Sequence, residues 1–328
     1  MNKTATAASQ QPLWPGGLPS ASQLQRPPEA LQAAFLQLLQ QEGLADDGIP
    51  VSLLHRLYLP MAAWIADRQR QGPLLLGING GQGSGKSTLC RILQRLLEQG
   101  FGKHVAAISI DDLYLPRAER QQLASRVHPL LATRGVPGTH DVALAIDILS
   151  RLKQGSHERL QVPVFDKAMD DRAPAERWQQ LQGPLDIILF EGWCVGAWPQ
   201  RPAHLQQPVN SLEAEEDPDQ HWRRYVNQQL AGPYRDLFAL IDRLMMLKIP
   251  SMEHVFEWRL LQERKLRESL ADQPEAARHV MSEQAVRRFI MHYERITRAS
   301  LEEMPARADV VLELNDQHQV CRVNMNGD

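Results

Sequence analysis

Short apolar runs alternate along this chain with longer stretches in which apolar residues recur every three or four positions. Leu74-Leu75-Leu76-Gly77-Ile78 is one uninterrupted run; residues 105–110, 187–190, 244–249 and 310–314 are others, and a last short one covers 319–323. Runs this short and this apolar, bounded by polar or turn residues, predict strands buried on both faces. Leu89, Ile92, Leu93 and Leu96 follow a helical period, with Gly100 placed to close that helix. Residues 142–152, 222–230, 255–270 and 286–301 repeat the helical pattern. Strand alternating with helix predicts an α/β three-layer fold, a mostly parallel sheet flanked by helices.

Upstream, Leu31, Phe35, Leu38 and Leu39 mark one face of a first helix ending near Gly43. A second pattern through Leu54, Leu57, Tyr58, Met61 and Ile65 meets Pro60, which predicts a kink or two shorter helices. Residues 1–25, rich in Ala, Gln, Pro and Ser, read as a disordered lead. Residues 26–328 read as one domain with a helical extension at 26–72 and a lid at about 250–285. The Pro-, Gln- and Glu-rich stretch 199–218 is the most loop-like interior segment.

Composition narrows the picture little but usefully. The 328 residues are 43% hydrophobic, ample for a core. Thirty-six basic residues stand against 39 acidic ones, which leaves no nucleic-acid footprint. The three cysteines, Cys90, Cys194 and Cys321, lack metal-ligand spacing and fit a reducing compartment. No apolar run has membrane-spanning length, and the N-terminus lacks the basic start and apolar core of a secretory signal. A cytoplasmic protein is the expectation; the oligomeric state is not legible.

The stretch Gly80-Gly81-Gln82-Gly83-Ser84-Gly85-Lys86-Ser87, with Thr88 after it, fits G-x-x-x-x-G-K-[ST] between a strand and a helix. Such a turn aims backbone N–H groups and a helix N-terminus at an anion, Lys86 reaches outer phosphate oxygens, and Ser87 can ligate Mg²⁺. A nucleoside triphosphate is therefore expected. Ligands of such sheets gather beyond the strands' carboxyl ends, and two further ends here carry acids. Asp111 and Asp112 close the run at 105–110. Asp111 is the candidate base for an attacking hydroxyl and a candidate Mg²⁺ ligand; Asp112 either caps a following helix or binds substrate. Glu191 closes the run at 187–190, where a Mg²⁺ carboxylate belongs, while Asp186 at its other end reads as a solvated strand start.

Arg134, His140 and Asp141 lie in a Gly- and Pro-rich loop that could bind an acceptor's hydroxyls or carboxylate; the plainer reading is a turn with Asp141 capping a helix. Asp166, Lys167 and Arg172 form a similar polar loop whose cations suit an anionic acceptor. Residues 255–270 carry Arg259, Arg264, Lys265 and Arg267. This is either a solvated amphipathic helix, with Glu263 and Glu268 four residues after Arg259 and Arg264, or a closing lid whose arginines stabilise a transferring phosphoryl group.

Together, GINGGQGSGKSTL, SIDDLYL, RGVPGTHD, VPVFDKAMDDR, ILFEGWCVG, VNQQLAGPY, FEWRLLQERKLR and FIMHYERITR resemble the P-loop small-molecule kinases, with uridine, pantothenate and phosphoribulokinase members. The resemblance is greatest to D-glycerate 3-kinases and their kinase-like relatives, over roughly residues 74–314. It implies ATP and Mg²⁺, Asp111 as base, Glu191 beside the metal, and the helix carrying Arg259 and Arg264 as lid. It also places Asp112 and Tyr114 near the acceptor and makes a small anionic hydroxy acid, D-glycerate, the expected partner. Where uridine kinases carry a base-contacting histidine this chain has Asp170, which argues against a nucleoside. Pantothenate or a ribulose phosphate remain alternative acceptors. A nucleotide-dependent switch is the reading from another class, against which stands the lack of an N-K-x-D element.

Overall fold

The computed structural model describes residues 12–15, 18–41, 49–155, 159–269 and 280–326. Strands are numbered in chain order: β1 (Leu74–Gly80), β2 (Val105–Ser109), β3 (Arg159–Val162), β4 (Phe165–Asp166), β5 (Asp171–Arg172), β6 (Gln179–Gln182), β7 (Ile187–Gly192), β8 (Arg243–Lys248), β9 (Val310–Leu314) and β10 (Val320–Met325). Helices are α1 (Pro28–Gln41), α2 (Leu59–Arg68), α3 (Lys86–Phe101), α4 (Arg117–Arg126), α5 (Val142–Lys153), α6 (Ser211–Glu216), α7 (His221–Ala231), α8 (Pro233–Phe238), α9 (Met252–Ser269) and α10 (Glu283–Glu303). The central sheet runs β10-β9-β8-β1-β7-β2, parallel except for edge strand β10. Every strand run expected from the sequence is present, shifted by a residue or two at its ends.

Alternating side chains explain why the runs are apolar throughout. Leu74, Leu76 and Ile78 of β1 join Ile187, Leu189, Met245 and Leu247 in one buried cluster with α1, α2 and α3. Leu75 points the other way, with Ile188, Phe190, Ala106 and Ile108, into a cluster with α5, α7 and α8. α10 joins both layers, giving Val286 and Ile290 to the first and Tyr293 and Ile296 to the second. At roughly 25 cal/mol per Å² of apolar area, these two layers are the main stabilising term.

Several local expectations are corrected. The α3 helix runs through Gly100 to Phe101 and is closed by Gly102, whose φ of 63° only glycine takes readily. Gly100 lies inside the helix, against Leu31 of α1. Gly43 lies outside the described residues. The second helical segment comes in two pieces, as Pro60 predicts: a π-helical turn over Leu54–Tyr58 runs directly into α2, with Pro60 in the first turn of α2. The 199–218 stretch contains a 3₁₀ turn, Pro202–Leu205, and α6. It is tied down by Arg295, which donates to His204 O at 2.8 Å, to Gln207 O at 2.6 Å and to the fully buried Glu213 carboxylate. Of the expected disordered lead, Trp14 is buried and meets Trp64 edge-on at 5.9 Å, while Gln25 N–H donates to Gly100 O. Two small antiparallel ribbons, β3–β6 and β4–β5, lie between α5 and β7 and were not anticipated.

Candidate active site

Parallel pairing of β2, β7, β1 and β8 brings their carboxyl ends to one edge. Cα registry places Glu191 of β7 opposite Ile78 of β1 and Ser109 of β2. From β1 the chain turns through Gly81, Gln82, Gly83, Ser84 and Gly85 into α3. Gly83 and Gly85 take φ of 78° and 88°, and Gly80 has Ser84 Oγ within 2.6 Å of where a Cβ would stand. The cradle therefore requires glycine at these points. Lys86 opens α3 and donates from Nζ to Gly81 O at 3.0 Å; Thr88 lies in the same first turn. Ser84 is buried, and its hydroxyl, like Gln82 Oε1, has no protein partner among the described residues. A hydroxyl and a helix N-terminus left in this state fit a phosphate.

Ser87 Oγ donates to Glu191 Oε1 at 2.8 Å, across 104 residues of chain. Hydroxyl and carboxylate side by side form a hard-oxygen donor pair of the kind Mg²⁺ takes, beside the phosphate loop. The expected metal residues Ser87 and Glu191 thus meet. Asp111 does not end its strand: β2 stops at Ser109, and Asp111 lies in the 3₁₀ turn Ile110–Leu113, its N–H on Ser109 Oγ. Its carboxylate accepts from Tyr114 Oη at 2.8 Å and from Lys167 Nζ at 2.9 Å. Burial works to raise the Asp111 carboxyl, but the Lys167 charge and the two hydrogen bonds outweigh it and hold the group at about 2. The Asp111 charge in turn raises the Lys167 ammonium. They are an ion pair over the whole ordinary pH range.

Of the other candidates, His140 and Arg134 join this cluster. Tyr114 stacks on His140 at 4.5 Å between ring centroids. Arg134 lies over the Phe165 ring at 5.3 Å and pairs with Asp170, which also takes Arg120 at 3.0 Å. Asp170 is thus clamped by two arginines rather than offered to a base. Four residues expected to bind substrate have partners within the protein. Asp112 caps no helix and accepts the Phe165 N–H at 3.1 Å. Asp141 caps α5 through the Leu144 N–H and takes Arg172, which also donates to Tyr114 O. Asp166 closes its own turn on the Ala168 and Met169 N–H groups and pairs with Arg177. Asp186, read as a solvated strand start, accepts the His104 N–H at 2.8 Å.

The α9 helix is seated against the phosphate loop: a Cβ on Gly83 would stand 3.0 Å from Trp258 Cβ and 3.5 Å from Arg259 N. Arg259 pairs with Glu263 and lies over Phe289 of α10, whereas Arg264 is exposed on the opposite side. Of the two lid arginines, therefore, only Arg259 stands at the cradle, and Arg267 is spent on Met281 O. Residues 270–279 of the expected lid lie outside the described residues. Three residues went unnoticed as candidates. Tyr234 bonds His140 at 2.6 Å, Tyr293 donates to Arg134 O at 3.1 Å, and the fully buried Arg120 donates to Leu115 O, Ala132 O and Asp170 O. Nothing in local sequence marks Arg120, which sits in a helix polar all round. Among the described residues, no helix is long and apolar enough to cross a membrane.

No protein-family model matches the chain. A Schizosaccharomyces pombe protein described as an uncharacterized kinase is 34% identical over 234 residues, covering 67% of this chain and 78% of that one. The chloroplastic D-glycerate 3-kinase of Arabidopsis thaliana is 31% identical over 261 residues, covering 73% of this chain and 53% of that longer protein. The solved D-glycerate 3-kinase of Cryptococcus neoformans superposes with a TM-score of 0.67 at 24% identity, over 88% of this chain and 99% of that one. With its phosphate loop, Ser87–Glu191 pair and α/β sheet, this chain belongs to the P-loop small-molecule kinases of the D-glycerate 3-kinase-like group.

Proposed function

We propose that the protein transfers the γ-phosphoryl group of Mg-ATP to the terminal hydroxyl of a small hydroxy acid, D-glycerate, giving 3-phosphoglycerate. One observation carries the reading: Asp111, a carboxylate paired with a cation, follows two residues after Ser109, which is in register with Glu191 of the Ser87–Glu191 pair at the strands' carboxyl edge. A carboxylate held at about 2 is too weak a base to ionise an alcohol in the ground state. Phosphoryl transfer does not ask that of it. In a loose transition state the hydroxyl needs orientation in line with the γ-phosphorus, and gives up its proton late.

The chain's residues divide the work accordingly. Gly80 to Thr88 hold the phosphates on backbone N–H groups, with the Lys86 ammonium on outer oxygens. Ser87 and Glu191 would hold Mg²⁺, whose charge would offset that of the phosphates. Arg259 adds a cation from α9, and Arg264 takes part only if α9 turns or moves inward. Lys167 and Arg134 supply positive charge for the acceptor's carboxylate, and His140 and Tyr114 line the same place. The relatives named as D-glycerate 3-kinases support the acceptor. A coupled ADP-release assay against D-glycerate, pantothenate, ribulose 5-phosphate and uridine tests it; turnover of another acceptor in preference to D-glycerate removes it. Asp111→Asn is expected to lower kcat by about 10²–10⁴ with ATP binding retained. Unchanged turnover in that variant takes Asp111 out of its role.

A further inference from the structure

Tyr234 lies in the first turn of α8 and is wholly enclosed. Its oxygen accepts the Gly138 N–H at 3.0 Å and lies 2.6 Å from His140 Nδ1. Burial raises the phenol far above its usual range, so the hydroxyl keeps its single proton. That proton can be placed in two ways. If His140 Nδ1 carried a proton and donated, the Tyr234 hydroxyl would be left without an acceptor in an enclosed site. If Tyr234 donates to Nδ1, the amide, the phenol and the imidazole nitrogen are all satisfied. Either way one enclosed donor lacks an acceptor among the described residues. The first arrangement also strands the Nε2 lone pair, so the smaller number of unmade buried hydrogen bonds selects the second.

The imidazole is neutral, because burial lowers His140 to about 3. Its one proton is then on Nε2. This N–H is enclosed and has no acceptor among the described residues. The ring that carries it stacks on Tyr114, whose hydroxyl bonds the Asp111 carboxylate, so the donor belongs to the cluster around Asp111. We propose that Tyr234 is a positioning residue that fixes His140 as the Nε2–H tautomer, so that His140 donates a hydrogen bond to an oxygen of the bound hydroxy acid. This rests on the hydroxy-acid reading above. The consequence is a specificity filter: an acceptor presenting an N–H donor at that point meets a donor and is rejected, whereas a hydroxyl or carboxylate oxygen is accepted.

The test is a long-range ¹H–¹⁵N correlation spectrum of the labelled full-length protein near neutral pH, with His140 assigned by its loss in His140→Gln. The wild-type spectrum is expected to show His140 as the Nε2–H tautomer, and Tyr234→Phe to show both tautomers populated. In the same variant the acceptor KM should rise about tenfold, kcat at saturating acceptor should fall less than threefold, and the ATP KM should hold. His140→Gln, whose amide can place an N–H near the position of Nε2, should keep more acceptor affinity than His140→Leu. A wild-type Nδ1–H tautomer overturns the proposal even if no variant folds. So does a Tyr234→Phe protein with an unchanged tautomer or an unchanged acceptor KM. A wild-type Nε2–H tautomer in a protein that phosphorylates no hydroxy acid supports the tautomer assignment and removes the acceptor reading, so the two failures are told apart.

Discussion

The Asp111 carboxylate is held between Tyr114 and Lys167, two donors with different tasks. Tyr114 arrives from the same 3₁₀ turn and fixes the carboxylate's orientation. Lys167 arrives from the β4–β5 ribbon and fixes its charge, although its own side chain is 62% exposed. An exposed ammonium can leave when an anion enters, so under the proposed function Lys167 would link recognition of the acceptor's charge to the carboxylate proposed to aim its hydroxyl. Lys167→Met should therefore raise the acceptor KM by more than tenfold. It should also move the acid limb of kcat/KM to higher pH. The sign follows from the environment: with the cation gone, burial is the larger influence on Asp111, and the carboxyl binds its proton at a higher pH than before. An acid limb that stays in place in the pH–rate profile would show that Asp111 does not govern it. Asp111 was legible as an acid beyond an apolar run and Lys167 as a cation in a polar loop; that they form a pair was not, since 56 residues separate them.

Among the elements, those with strong periodicity were legible and those held by single distant contacts were not. The strands and the helices α3, α5, α7, α9 and α10 repeat an apolar pattern that local physics alone specifies. The 199–218 stretch repeats nothing, and its order comes from α10. Arg295 reaches it with five hydrogen bonds, two of them to Glu213, which no solvent reaches. Replacing Arg295 by Leu leaves that carboxylate buried and unpaired, at a cost of about 3–5 kcal/mol. Urea unfolding midpoints read the loss directly, and a change under about 1 kcal/mol would mean that Glu213 finds water or another cation. The α9 helix shows the converse. Helical spacing already set Arg259 off the face shared by Arg264 and Arg267, but only packing of Met252, Val255 and Trp258 decides that the Arg259 side meets the phosphate loop while Arg264 stays exposed.

For the whole molecule, the phosphate loop couples ligand to stability, because the cradle exists only in the folded chain. Mg-ATP at a hundred times its Kd should stabilise the protein by about 2.7 kcal/mol, seen as a thermal shift. Lys86→Ala should remove most of that shift at the same ATP concentration while leaving the unliganded Tm nearly unchanged, since among the described residues Lys86 donates only to the Gly81 carbonyl. An undiminished shift would place the nucleotide elsewhere. By itself the sequence determined the α/β layering, the strand–loop–helix cradle and the acids at the carboxyl ends of β2 and β7, because apolar periodicity and glycine-dependent turns are properties of neighbours along the chain. Only the tertiary structure decided that Ser87 meets Glu191, that Asp112, Asp141 and Asp166 accept backbone N–H groups, and that Tyr234 meets a histidine 94 residues away. Those assignments depend on which buried donor finds which acceptor, a choice made by packing after distant segments meet.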